Sequence, residues 1–142
     1  MILPEMLTKS GTEHGEQAAL FCWASLPEQQ ERYPQLYWMF AIPNGGERNK
    51  AVASMLKAEG VKSGVADVFL PIARKKGYTG RVFYGLFIEM KRANGVPSDI
   101  KPKQKEFAEH VMAEGYSHVV AFGWRQAVAA IENYLDGKYD SI

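Results

Sequence analysis

The sequence predicts an α/β domain in which a mixed central sheet is flanked by helices, and three observations predict it. Segments with helical spacing alternate with short apolar runs bounded by Gly, Pro and Asn, in the order α-β-α-β-β-α-β-α. The 142 residues suffice for one hydrophobic core and ask for no second unit, which gives a single domain over residues 1–142 with its core at about 12–135. An apolar share of 46% and a charged share of 23% match a soluble fold, not a disordered or fibrous chain.

Taken in order, Thr12 is the expected N-cap of a helix reaching Leu26, with Ala19, Leu20, Trp23 and Leu26 on one face. Pro27 and the polar stretch to Arg32 end it. Leu36 to Ile42 (LYWMFAI), bounded by Pro34 and Pro43, reads as a buried strand, placing Tyr37, Trp38 and Phe40 in the core with Trp23. Asn44-Gly45-Gly46 forms a turn. Glu47 to Glu59 is a helix with Val52, Met55 and Leu56 on one side, stopped at Gly60. Val65 to Pro71 is a short apolar strand interrupted by one acid, Asp67, and Arg74 to Gly80 supplies a hairpin-like loop. Arg81 to Lys91 is the longest strand, and its alternation turns Glu89 and Lys91 to the same face. After a loop from Asn94 to Pro102, Gln104 to Glu114 is a helix closed by Gly115, His118 to Phe122 a strand, and Trp124 to Leu135 the last helix.

The formal net charge of +1 hides an uneven distribution: Asn44 to Lys105 carries thirteen Lys and Arg against five Asp and Glu. Such an excess suits a polyanion, because Lys and Arg displace counterions when they meet phosphates. No apolar run reaches the roughly 18–20 residues of a membrane span, and the N-terminus does not read as a secretory signal. A cytoplasmic location is the expectation. The single cysteine, Cys22, has no second thiol for a disulfide or a zinc site and reads as a small core residue. His14, His110 and His118 share no ligand spacing and read as surface or capping residues.

A strand acid at Asp67 followed by Ile88-Glu89-Met90-Lys91 gives two carboxylates and an amine on neighbouring strands. Carboxylates so placed bind a hard cation, which is held with the help of waters and phosphate oxygens and activates water for attack on phosphorus. Lys91 completes the set by orienting that water and offsetting charge that builds on the phosphate. The bland alternative is a solvated Glu-Lys pair at a strand end. Against it stand the apolar neighbours Val68, Phe69, Leu70, Phe87 and Ile88, since a buried strand seldom tolerates an unpaired acid.

Ile42-Pro43-Asn44-Gly45-Gly46 with Arg48-Asn49, Leu56-Lys57 through Gly60-Val61-Lys62 to Gly64-Val65-Ala66-Asp67, Gly85 through Glu89-Met90-Lys91, then Gln104 and Gly115-Tyr116, together resemble the virus-type replication-repair nuclease (VRR-NUC) family. The likeness is to its compact, stand-alone phage form and runs from Glu13 to Leu135. It implies a restriction-endonuclease-like PD-(D/E)XK fold and a phosphodiesterase dependent on Mg²⁺ or Mn²⁺. Asp67, Glu89 and the backbone carbonyl of Met90 are then the metal ligands, Lys91 the catalytic lysine, and Gln104 a supporting residue. A first-helix glutamate joins such sites. Glu13 and Glu16 compete for that role, and Glu16 is the expected one because it shares a face with Leu20 and Trp23. The family's proline before the aspartate is replaced by Ala66, and the loop before Gln104 is altered around Ser98.

The expected substrate is DNA, with branched or Holliday-junction DNA favoured and a homodimer presenting two sites to two strands. Asn44, Arg48, Lys50, Lys62, Lys101 and Lys103 are the expected nucleic-acid contacts, with Lys57, Arg74, Lys75 and Lys76 as further phosphate-contact candidates. The rival readings are a catalytically silent DNA-binding protein of the same fold and an unrelated metabolic α/β protein.

Overall fold

A computed structural model describes residues 1–43 and 49–138. A four-stranded sheet has the order β1-β2-β5-β6, formed by Phe40–Ala41 (β1), Val68–Leu70 (β2), Leu86–Lys91 (β5) and Ser117–Phe122 (β6). The first three strands pair antiparallel, with Val68 opposite Ile88 and Leu70 opposite Leu86, and β6 runs parallel to β5. Arg74–Lys75 (β3) and Val82–Phe83 (β4) form a separate hairpin between β2 and β5. The helices are Glu13–Ala24 (α1), Pro27–Arg32 (α2), Lys50–Ala58 (α3), Pro102–Ala113 (α4) and Trp124–Leu135 (α5).

Alternation along β5 divides the two faces of the sheet. Leu86, Ile88 and Met90 join Leu20, Trp23, Ala127 and Ile131 in the core beneath α1 and α5. Phe87 turns the other way, stacking on Phe69 and meeting the edge of Phe107 on α4. Glu89 and Lys91 share the face of Phe87. Helix α4 is the crossover that parallel β5 and β6 require, and it covers that face. The Thr12 hydroxyl accepts from the Gly15 N–H at 3.0 Å, so α1 starts where its cap predicts.

The structure corrects several expectations. Residues 36–42 are not a buried strand: Pro34–Trp38 is a 3₁₀ turn followed by the two-residue β1. Leu36 and Met39 go inward, whereas Tyr37 and Trp38 stand 71% and 62% exposed and Phe40 is exposed beside them. The polar stretch from Pro27 is itself the short helix α2, because proline fits the first helical position. The expected long strand breaks at Tyr84-Gly85, where the Tyr84 N–H bonds to the Gly115 carbonyl at 3.0 Å instead of to a strand partner. Cys22 is half-buried. The expected Asn44-Gly45-Gly46 turn lies outside the described residues.

His118 is buried on β6 against Phe107, with Nε2 lacking a hydrogen-bond partner among the described residues. Burial disfavours its charged form and lowers its pKa to about 4. A histidine held neutral in this way leaves stability intact above its unfolded value of 6.5 and removes it as pH falls from there through about 4. Thermal melts of wild type are expected to lose up to about 3 kcal/mol over this window through His118 alone. His118→Leu is expected to flatten that slope, and an unchanged slope in the variant would assign the acid sensitivity to other groups.

Candidate active site

The carboxyl end of β5 and the start of β2 meet at the floor of a cleft of about 920 Å³. Asp67 precedes β2 by one residue, and the register that sets Val68 opposite Ile88 brings Asp67 opposite Glu89. Its backbone is tied on both sides, with the N–H donating to the Ile88 carbonyl at 3.1 Å and its carbonyl accepting from the Ile42 N–H at 2.7 Å. Its side chain then ends the ladder: Oδ2 accepts from the Met90 N–H at 2.7 Å. Asp67 is thereby fixed through both its backbone and its side chain.

Glu89 is 2% exposed, and its Oε2 is buried with no hydrogen-bond partner among the described residues. Its Oε1 accepts from Gln104 Nε2 at 2.8 Å and lies 3.9 Å from Lys91 Nζ. Burial, followed by the like charge of Asp67, raises the Glu89 pKa to about 8 against the opposing pull of Lys91, with further pushes from a hydrogen bond with Asp67 and, least, from the charge of Glu13. Lys91 is itself 4% exposed. Two directly opposed acids and one amine with so little water around them are costly as structure alone. Gln104 cannot flip, because its Oε1 accepts from the Lys101 N–H at 2.9 Å in the first turn of α4. Its amide hydrogen is therefore permanently aimed at Glu89.

The two first-helix glutamates sit in different surroundings from those expected. Glu16 is buried, but its Oε1 accepts from the Trp124 N–H at 2.9 Å, placing its negative charge at the start of α5. The face that carries Leu20 and Trp23 leads to α5, not to the acids. Gly123 makes this possible: it stands at φ 93°, and a Cβ there would lie 3.2 Å from Glu16 Oε1. Glu13, one turn earlier and exposed, lines the cleft with Thr12, His14 and Gln17.

The remaining walls are Ser63 and Gly64 before β2, and Arg92, Asp99 and Lys101 after β5. Gly64, at φ 90°, presses against the Lys103 backbone, where an added Cβ would come within 2.6 Å of the carbonyl oxygen, so the loop and α4 close against each other. Lys101 lines the cleft as expected for a nucleic-acid contact. Lys62 and Lys103 are exposed on its flanks but do not line it, and Lys50 is exposed at the start of α3. Asn44 and Arg48 lie outside the described residues. Sequence reasoning passed over Arg92 and Gln17; Arg92 had a signal, being the next residue after the strand lysine.

Among the described residues no three His, Cys, Asp or Glu side chains cluster as a ligand set. The donors that do converge, Asp67 and Glu89, are hard oxygens. Two carboxylates suit a cation that keeps several waters and takes further oxygens from a phosphate, and the orphaned Oε2 of Glu89, and the burial and repulsion that raise its pKa, are what such a charge relieves.

Residues 10–123 match the family described as the VRR-NUC domain. Among solved structures the chain is similar to a VRR_NUC domain protein, with 29% identity, a TM-score of 0.66 and 88% of each chain covered. No curated protein matches it. No described helix is long and apolar enough to cross a membrane. A family match that runs unbroken through both acids, the lysine and the glutamine, together with the shared chain path, establishes that this chain belongs to the VRR-NUC family of nuclease domains with a restriction-endonuclease-like fold.

Proposed function

We propose that the chain is a Mg²⁺- or Mn²⁺-dependent DNA endonuclease that cuts branched DNA in the manner of a Holliday-junction resolvase. The observation that carries this is the group at the cleft floor, half-buried Asp67 opposite buried Glu89 with buried Lys91 beside it, beneath walls that bear Arg92 and Lys101. Asp67 and Glu89, with the Met90 carbonyl, would hold the cation, and the cation supplies a lowered pKa for attacking water and a counter-charge for the phosphate.

The protein's own groups do the rest. Lys91 sits in a water-poor pocket, where an ammonium group acts on the developing negative charge of the phosphate more strongly than in open solvent. Gln104 fixes the Glu89 carboxylate, and Arg92 and Lys101 meet flanking phosphates. Glu13, not Glu16, is the first-helix acid of the site, since it faces the cleft and its charge reaches Glu89. A homodimer presents two such clefts to a two-fold symmetric junction. The exposed aromatic edge of Tyr37, Trp38 and Phe40 supports that pairing, because large apolar side chains grouped on one sheet edge favour association.

The experiment is cleavage of an end-labelled four-way junction beside a matched linear duplex, with Mg²⁺, Mn²⁺ or a chelator. Paired symmetric nicks in the junction that need cation are expected. Equal cutting of both substrates would remove the junction preference, and tight binding without cutting would favour the catalytically silent reading.

A further inference from the structure

The hairpin of β3 and β4 stands apart from the main sheet, and its segment 74–81 carries four basic residues and no acid. Arg74 is structural: Nε donates to the Leu135 carbonyl at 3.0 Å and Nη1 to the Ala73 carbonyl at 2.9 Å, fastening the hairpin to the last turn of α5. Lys75, Lys76 and Arg81 make no ion pair among the described residues. The acids at this end of α5 form no ion pair with them: Glu132 pairs with Arg32 at 2.6 Å, and Asp136 accepts from the Tyr33 hydroxyl at 3.0 Å. At the tip, Tyr78 is 100% exposed.

Helix α5 measures how far this charge lies from the cleft. Its first residue, Trp124, bonds to Glu16, and the preceding Gly123 N–H bonds to the Lys91 carbonyl at 2.9 Å, so its N-terminus sits at the catalytic end. Its C-terminus holds Arg74. Twelve residues at about 1.5 Å each separate the two ends by roughly 18 Å. The hairpin lysines therefore do not serve the scissile phosphate.

We propose that the β3–β4 hairpin is a second nucleic-acid contact, gripping backbone phosphates of the same DNA at the far end of the sheet from the bond that is cut. This rests on the nuclease reading above. Free lysines and an arginine gain counterion release from phosphates, and an exposed aromatic ring between them offers a face for a base, a combination suited to nucleic acid. At about 3.4 Å per base pair, the separation corresponds to roughly five base pairs from the cut.

The test is Lys75→Gln, Lys76→Gln and Arg81→Gln combined, with Arg74 retained and melting compared with wild type. DNA binding with Ca²⁺ is measured against salt, and cleavage with Mg²⁺ against DNA concentration. The log–log salt slope is expected to fall by about two to three units, with KM raised about tenfold and kcat unchanged. Should the combined variant melt early, Lys75→Gln and Lys76→Gln alone are each expected to take about one unit off the slope. Unchanged slope and KM overturn the proposal. If wild type cuts no DNA, the nuclease reading fails, while the salt slope still reports on the hairpin.

Discussion

Lys91→Ala is expected to lower single-turnover cleavage about 10³-fold while leaving the melting temperature and Ca²⁺-supported DNA affinity close to wild type. The side chain is buried with Glu89 Oε1 at 3.9 Å, a distance that contributes charge but no hydrogen bond. Its removal leaves Glu89 free to stay protonated, as its raised pKa already favours, so the fold keeps no stranded charge. The converse change is less clean: Glu89→Ala leaves the Gln104 amide without its acceptor, at a cost of about 1–3 kcal/mol. A loss of affinity in Lys91→Ala as large as the loss in rate would mean that the amine grips the ground state and not the reacting phosphate.

Glu16 and Glu13 are expected to separate fold from chemistry. Glu16→Ala removes the acceptor at the start of α5 and is expected to cost about 2 kcal/mol, a fall of roughly 4–8 °C in Tm. Glu13→Ala, at an exposed helix start, is expected to change stability by no more than about 0.5 kcal/mol but to slow cleavage roughly 10- to 100-fold. Melting curves and initial rates on the same two proteins decide it. If instead Glu16→Ala cut slowly and melted normally, Glu16 would be the acid of the site.

What the sequence made legible was what local rules determine. The helix from Trp124 to Leu135 and the N-cap at Thr12 agree with the structure, and strand alternation correctly put Glu89 and Lys91 on one face. The errors share a cause, which is that periodicity does not report what a segment packs against. Aromatic richness at Leu36 to Ile42 reads as a strand, yet Pro34 begins a 3₁₀ turn and all three aromatic side chains face outward. The helical face of Glu16 is legible, while the neighbour that face meets, the start of α5, is tertiary information. His118 reads as a surface residue because it shares no ligand spacing with the other histidines, yet α4 crossing over β6 buries it. At Gly85, where the long strand is interrupted, an added Cβ would come within 2.7 Å of the Phe69 ring, a contact set by a residue on another strand.

The amide of Gln104 is held by the backbone N–H of Lys101, not by the Lys101 side chain. Whatever residue stands at position 101, apart from proline, the same N–H is present to orient the glutamine and through it the acid. Selection on how the cleft wall grips its substrate is thus uncoupled from selection on the reaction: position 101 is free to vary with the ligand, while the chemistry beneath it is inherited intact.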